Sequence, residues 1–254
     1  MTNLSSSPQP VHKAKYFKQH LFRRYKDYIL FVAALVGGVV LVGLLGKVFF
    51  ELLDSLRNKQ LGEFDDNITL YVRSFKSSFT EWFYPTITHL GDRFAYLILV
   101  VILFVYLYIR KGNFVFSLQA ILVLSIAGAL SFWLKDLIGR PRPEAVHELG
   151  IRTYSFPSGH SMSSIAFYGF LVYLTWRIYE SKVKKIVISA ILVLLIISIG
   201  LSRIYLQVHY PSDVLAGFAA GAACLLIFIM IFAALRFWHR KKGEDTQPDT
   251  AKSA

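Results

Sequence analysis

Residues 202–235 read SRIYLQVHYPSD and then VLAGFAAGAACLLIFIMIFAAL, so Arg203, His209 and Asp213 stand directly before 22 residues with no charge. About 20 apolar residues, coiled as a helix, cross the ~30 Å hydrocarbon core of a bilayer. Such a run is helical because the bilayer core offers no water to satisfy exposed backbone groups. Working outward, further uncharged blocks lie at 28–46, 94–109, 112–134, 153–176 and 186–202. The block at 94–109 is short, and the uncharged stretch 82–91 before it can lengthen the element; 186–202 is accommodated by tilt and snorkelling ends. The fold class expected is all-α, an integral membrane bundle of six transmembrane helices. The run at 28–46 is longer than a secretory signal core, and Lys47-Val48-Phe49-Phe50 follows it instead of a small-residue cleavage pattern, so it reads as a retained span. Cys224 is the only cysteine, which excludes a disulfide framework and a cysteine-based zinc site.

Charge sets the orientation. Six spans divide the polar segments into two sets. One set (the N-terminal tail, 110–113, 177–185 and the tail from 236) holds 17 of the 28 Lys and Arg residues against 5 acids. The other (47–93, 135–152 and 203–213) holds 11 cations and 11 acids, so the net +12 lies on one side. By the positive-inside rule that side is cytoplasmic, both termini are inside, and the connections before spans two, four and six face outward. Orientation and attraction to anionic lipid account for this charge, and no nucleic-acid partner is expected. The domain reading is a basic cytoplasmic tail at 1–27, a six-span catalytic domain at 28–238, and a cytoplasmic tail at 239–254. Residues 1–12 and those after about 243 have the composition of disordered chain.

Residues 51–81 are the one sizeable segment outside the spans. Leu52, Leu53 and Leu56 continue the first helix. Phe64, Ile68, Tyr71, Val72, Phe75 and Phe79 then recur at helical spacing with Asp65, Asp66, Arg73 and Lys76 between them. This is the pattern of an amphipathic helix lying on the outer leaflet, either as a packing element over the bundle or as a roof that helps admit a lipid tail.

Three strings carry the chemistry: Lys135 with Arg142-Pro143, then Pro157-Ser158-Gly159-His160, then Ser202-Arg203 with His209 and Asp213. With six spans, all three open on the same membrane face. Arg142 and Arg203 offer forked donors to phosphate oxygens, and Lys135 adds a compact point charge. Ser158 and Gly159 begin a span, where unpaired N–H groups and the helix dipole favour an anion. His160, beside that anion, is suited to protonate a leaving alkoxide. His209 and Asp213 are four apart, so the carboxylate can hold one ring nitrogen while the other attacks. Glu144, His147, Asp136 and Arg140 read as solvated loop residues, with contact to a substrate headgroup as the alternative, and His89 as structural.

In order and spacing these strings resemble the three-part signature of the type 2 phosphatidic acid phosphatase (PAP2) family of membrane lipid phosphatases, over residues 135–213. The resemblance implies that His209 is the nucleophile of a phosphohistidine intermediate, oriented by Asp213, and that His160 is the acid for the leaving group. Lys135, Arg142, Ser158, Gly159 and Arg203 would hold the phosphoryl oxygens, and water would release phosphate in a second step. No metal and no cofactor are implied, since three cations take the place of magnesium. The implied partners are the bilayer and a lipid phosphate: undecaprenyl pyrophosphate, phosphatidylglycerophosphate or phosphatidate. The implied location is the plasma membrane, with the site extracytoplasmic. A lipid-linked phosphotransferase using the same histidine, or a transporter with a vestigial site, are the alternative readings.

Overall fold

A computed structural model describes residues 10–111, 114–144, 146 and 153–245. Regular structure among them is helical: α1 (Pro10–Arg57), α2 (Gly62–Ser74), α3 (Ser78–Thr88), a 3-10 turn (His89–Gly91), α4 (Arg93–Lys111), α5 (Val115–Ile138), α6 (Gly159–Ile178), α7 (Lys182–Tyr205) and α8 (Pro211–Asp245). Two compact units are distinguished, residues 1–41 and 42–254. The first is helical from Pro10, inside the stretch expected to be disordered. The second holds the bundle, and its last helix likewise runs two residues past the expected end, to Asp245.

Among the described residues, five helices are long and apolar enough to cross a membrane: Tyr28–Arg57 within α1, Arg93–Arg110 within α4, α5, α7 and Pro211–His239 within α8. Their outward faces are hydrocarbon, with Leu97, Ile98, Val101 and Ile102 exposed on α4 and Ile186, Val187, Ile191 and Leu194 exposed on α7. Continuous apolar surface of this kind is stable only against lipid.

The expected fourth span, α6, does not meet that apolarity test, and packing explains its composition. α6 is the centre of the bundle. Its Met162, Ala166, Phe167 and Phe170 are buried against Tyr96 of α4, Val123 and Ala127 of α5, Ile196 and Ile199 of α7, and Cys224 and Leu225 of α8. A helix walled by protein can carry polar groups if they are paired internally. Accordingly the Ser164 hydroxyl donates to the Ser161 carbonyl, Thr175 to the Leu171 carbonyl and Tyr168 to the Leu90 carbonyl.

Glycines bring α6 and α8 together. A Cβ on Gly217 would lie 2.6 Å from the Ser158 carbonyl oxygen, and one on Gly221 would lie 2.5 Å from that of Met162. This Gly-xxx-Gly spacing lets two helix backbones approach as membrane helices do.

The segment between the first two spans departs from expectation in three ways. The amphipathic stretch is two helices, broken at 75–77, where Ser77 and Thr80 form a capping box (Thr80 N–H to Ser77 Oγ 3.2 Å, Ser77 N–H to Thr80 Oγ1 2.8 Å). Residues 82–91 do not lengthen the second span; they belong to α3 and the 3-10 turn, and Asp92 turns extended before α4 starts. In α2 the inward face is Asp65, Ile68 and Val72, while Phe64, Tyr71 and Phe75 point outward. Residues 153–158 are also non-helical, so α6 begins only at Gly159.

Candidate active site

The connection between α7 and α8 is short and tightly folded. Gln207 adopts φ +53°, and the Arg203 carbonyl accepts from the backbone N–H groups of Val208 (3.1 Å) and His209 (3.2 Å). Pro211 starts α8, a position where its missing N–H costs nothing. Asp213 therefore sits in the first turn, where Oδ2 accepts from the Tyr210 backbone N–H at 3.0 Å and faces His209 Nδ1 at 3.3 Å. With Nδ1–H donating to the carboxylate, His209 Nε2 is the nitrogen with a lone pair, and it stands 3.5 Å from Arg142 Nη1. Burial pushes the His209 imidazole well below its ordinary pKa, and the charges of Lys135, Arg142, Arg203 and His160 push in the same direction. The ring is thus a neutral base ringed by cations.

Each cation is held by backbone or hydroxyl oxygens that leave charge to spare. Lys135 lies in the last turn of α5, which stops at Gly139 with φ +69°; its Nζ donates to the carbonyls of Tyr154 (2.7 Å) and Ser155 (3.1 Å). Arg142 donates from Nε to the Thr153 carbonyl (2.8 Å), from Nη2 to Thr153 Oγ1 (3.0 Å) and from Nη1 to the Val208 carbonyl (2.9 Å). Burial holds this guanidinium below its ordinary value, and the Asp213 charge offsets part of that. Arg203 donates from Nη1 to Thr88 Oγ1 at 2.7 Å, while its buried Nε has no partner among the described residues. A buried guanidinium N–H without an acceptor is costly unless an anion arrives to take it.

Ser158 caps α6, and its Oγ accepts from the Ser161 hydroxyl at 3.0 Å. Its backbone N–H donates to the Asp213 carbonyl at 2.9 Å, which ties the second string to the third. Gly159 packs closely on α5, since a Cβ there would lie 3.2 Å from Ser131 Oγ and 4.0 Å from Lys135 Cε. His160 follows in the first turn of α6, with Nε2 2.8 Å from Asp92 Oδ1. All eight residues singled out from the sequence are thus drawn to one end of the bundle, linked through the contacts above.

A family model described as the PAP2 superfamily matches residues 116–237. The chain is 35% identical to phosphatidylglycerophosphatase B of Bacillus subtilis over 149 residues, which cover 57% of this chain and 70% of that protein. The chain belongs to the PAP2 superfamily. A lipid A 1-phosphatase of Rhizobium johnstonii is 35% identical over 117 residues, 42% of this chain and 44% of that protein. Among solved structures, the transmembrane PAP2 type phosphatidylglycerolphosphate phosphatase of Bacillus subtilis superposes with a TM-score of 0.69 at 26% identity, covering 75% of this chain and 95% of that one. Aquifex aeolicus LpxE gives a TM-score of 0.51 at 25% identity, covering 64% and 93%. With its apolar helices and these relatives, the chain is a membrane protein.

Four residues around the PAP2 strings escaped the sequence reading. Arg140, taken as a loop residue, is inside the fold at 10% side-chain exposure. It donates from Nη1 to Asp213 Oδ1 (2.6 Å) and Ser212 Oγ (2.8 Å), and from Nη2 to Asp65 Oδ2 (2.7 Å). Its guanidinium also lies 4.0 Å over the Tyr210 ring. Asp65, read only as one of the charges between the apolar positions of an amphipathic helix, is 1% exposed and accepts from the Ser212 backbone N–H (2.9 Å) and hydroxyl (2.8 Å). Thr88 and Asp92 hold Arg203 and His160. The available signal for Arg140 was the alternation Arg140-Pro141-Arg142-Pro143, which sends two guanidiniums to different neighbours; for the other three no local pattern exists. His89 is exposed and pairs with Asp92; Asp136 and Glu144 are exposed; His147 lies outside the described residues.

Proposed function

We propose that this chain is a PAP2-type membrane lipid phosphatase working through a phosphohistidine on His209. The observation that carries this reading is the placement of His209, with Nδ1 on Asp213 and Nε2 turned toward Arg142 within the Lys135, Arg142 and Arg203 cluster. A phosphomonoester placed there meets the unpaired Arg203 Nε, the α6 N-terminus at Ser158 and Gly159, and a neutral nucleophile. In the first step the Nε2 lone pair forms a bond to phosphorus, the bond from phosphorus to the leaving oxygen breaks, and its electron pair goes to that oxygen, which is the lipid oxygen of a monoester or the bridging oxygen of a pyrophosphate. For a monoester His160 supplies the proton that makes the departing lipid a neutral alcohol; for a pyrophosphate the departing group is the lipid monophosphate. In the second step water attacks the phosphohistidine, His160 takes a proton from it, and the P–N electron pair returns to His209. Chemistry of this kind rests on positioning and charge stabilisation.

In this reading α6 is the fourth of six spans, its polarity permitted by its central position, and the positive-inside balance favours a site on the outer face. A lipid substrate is supported by an apolar cavity of about 360 Å³ between α1, α5 and α8, lined among others by Leu45, Phe49, Leu130, Leu134 and Phe228. Leu134 immediately precedes Lys135, and the Phe49 ring packs on Phe156, two residues before Ser158, at 5.7 Å between centroids. The cavity thus runs beside the phosphate site. Phosphatidylglycerophosphate, phosphatidate and undecaprenyl pyrophosphate are the candidate substrates.

The test is phosphate release by the detergent-purified protein from each of these lipids, with EDTA present, beside His209→Ala. Release by the parent and none by the variant supports the reading. Activity that vanishes with EDTA and returns with a divalent ion refutes the metal-free form, and undiminished release by His209→Ala refutes the phosphohistidine.

A further inference from the structure

Residues 88–92 join α3 to α4 and touch the site at three points, although the family match begins only at residue 116. Thr88 Oγ1 accepts from Arg203 Nη1 at 2.7 Å. The Leu90 carbonyl accepts from the Tyr168 hydroxyl at 2.7 Å, anchoring the turn to α6 two helical turns beyond His160. Gly91 lets the turn lie against the imidazole, since a Cβ there would be 2.7 Å from His160 Cδ2 and 3.0 Å from Ile199 Cγ2. Asp92 then places one carboxylate oxygen on each of two imidazoles, Oδ1 at 2.8 Å from His160 Nε2 and Oδ2 at 2.8 Å from His89 Nδ1.

We propose that Asp92 is a positioning residue for His160, holding the leaving-group acid in one ring orientation and supplying its counter-charge. The proposal rests on the reading of His160 as that acid. The surroundings of His160 are otherwise positive or neutral: Arg203 and Arg142 face it from α7 and from the segment after α5, the neutral His209 is close enough to feel its charge, and the ring lies at the N-terminus of α6. Asp92 is the carboxylate in hydrogen-bond contact with the ring, with His89 on its far side. Burial raises the Asp92 pKa, but the hydrogen bonds and charges of His89 and His160 outweigh it and hold the carboxyl below its usual value, so it is ionised at neutral pH. Because Asp92 accepts from Nε2–H, Nδ1 is the nitrogen left to pass a proton to the departing oxygen and to take one from water. A carboxylate that fixes tautomer and supports an imidazolium is the same device that Asp213 provides for His209.

The experiment compares two leaving groups. Dioleoyl phosphatidate expels an alkoxide that needs a proton; p-nitrophenyl phosphate expels a phenolate that does not. For Asp92→Asn, purified in detergent, the ratio of kcat/KM on phosphatidate to kcat/KM on the aryl ester falls by about 10–100-fold, at or below the ~10²–10⁴ a general acid supplies. His160→Ala lowers the same ratio further. A general weakening of the fold would lower both substrates together, so an unchanged ratio in Asp92→Asn beside a lowered one in His160→Ala overturns the role of Asp92. An unchanged ratio in His160→Ala removes the leaving-group reading itself. Should Asp92→Asn fail to fold, Asp92→Ser, which keeps a small polar group in the turn, is scored on the same ratio.

Discussion

Asp65→Ala tests whether helix α2 is part of the framework that holds Asp213 or a covering for it. The carboxylate is 1% exposed and accepts three hydrogen bonds, from the Ser212 N–H, the Ser212 hydroxyl and Arg140. Truncation leaves those donors without their acceptor in a place that water reaches poorly, and it removes one of the two carboxylates that balance Arg140. Hydrogen bonds to a charged group contribute about 1.5–3 kcal/mol each, yet they do not add within one network. Breaking a buried ion pair by deleting one partner costs about 3–5 kcal/mol, and that is the expected loss here. At about 2–4 °C per kcal/mol for a domain of this size, the midpoint of thermal unfolding in detergent falls by about 6–20 °C. Asp65→Asn keeps the shape and one acceptor but not the charge, and falls between parent and Asp65→Ala. Because Arg140 also holds Asp213, kcat drops with little change in KM. A midpoint within about 2 °C of the parent, with kcat intact, would refute the claim that α2 pins the Asp213 carboxylate.

Gly217→Ala puts a methyl 2.6 Å from the Ser158 carbonyl and 3.0 Å from Ser161 Cβ, so α6 and α8 must part; about 1–3 kcal/mol of stability and much of kcat/KM are lost. The control is Gly128→Ala, where a Cβ meets nothing within 4 Å and stability holds or rises; equal behaviour of the two variants in thermal unfolding and turnover would contradict the close-approach argument. His209 has a folded pKa well below its ordinary value, so the unfolded chain takes the proton first. Its effect on stability is therefore absent above about pH 6.5 and becomes destabilising as pH falls from there toward the folded value. An NMR titration of imidazole-labelled protein, assigned with His209→Ala, should show this ring taking its proton only below the ordinary histidine range; titration near the ordinary value of about pH 6.5 would remove the neutral-nucleophile argument.

What depends on composition and local order is legible in the chain before it folds. Uncharged runs identify helices that need lipid, because hydrocarbon tolerates no unsatisfied backbone, and five of the six expected elements meet that standard in the structure. The spacing of His209, Pro211 and Asp213 sufficed to place an imidazole against a carboxylate, since Pro211 starts the helix and the contact is local. Tertiary structure decided the rest. The centrality of α6 follows from which helices surround it, so its polar residues diluted a hydropathy signal that assumes lipid on every side. Asp65, Thr88 and Asp92 lie 147, 115 and 68 residues from their partners Ser212, Arg203 and His160. No period or motif encodes contacts at such separations. A carboxylate on a helix that looks solvated becomes buried only when a guanidinium and a helix N-terminus are packed over it, and that is a property of the assembled bundle.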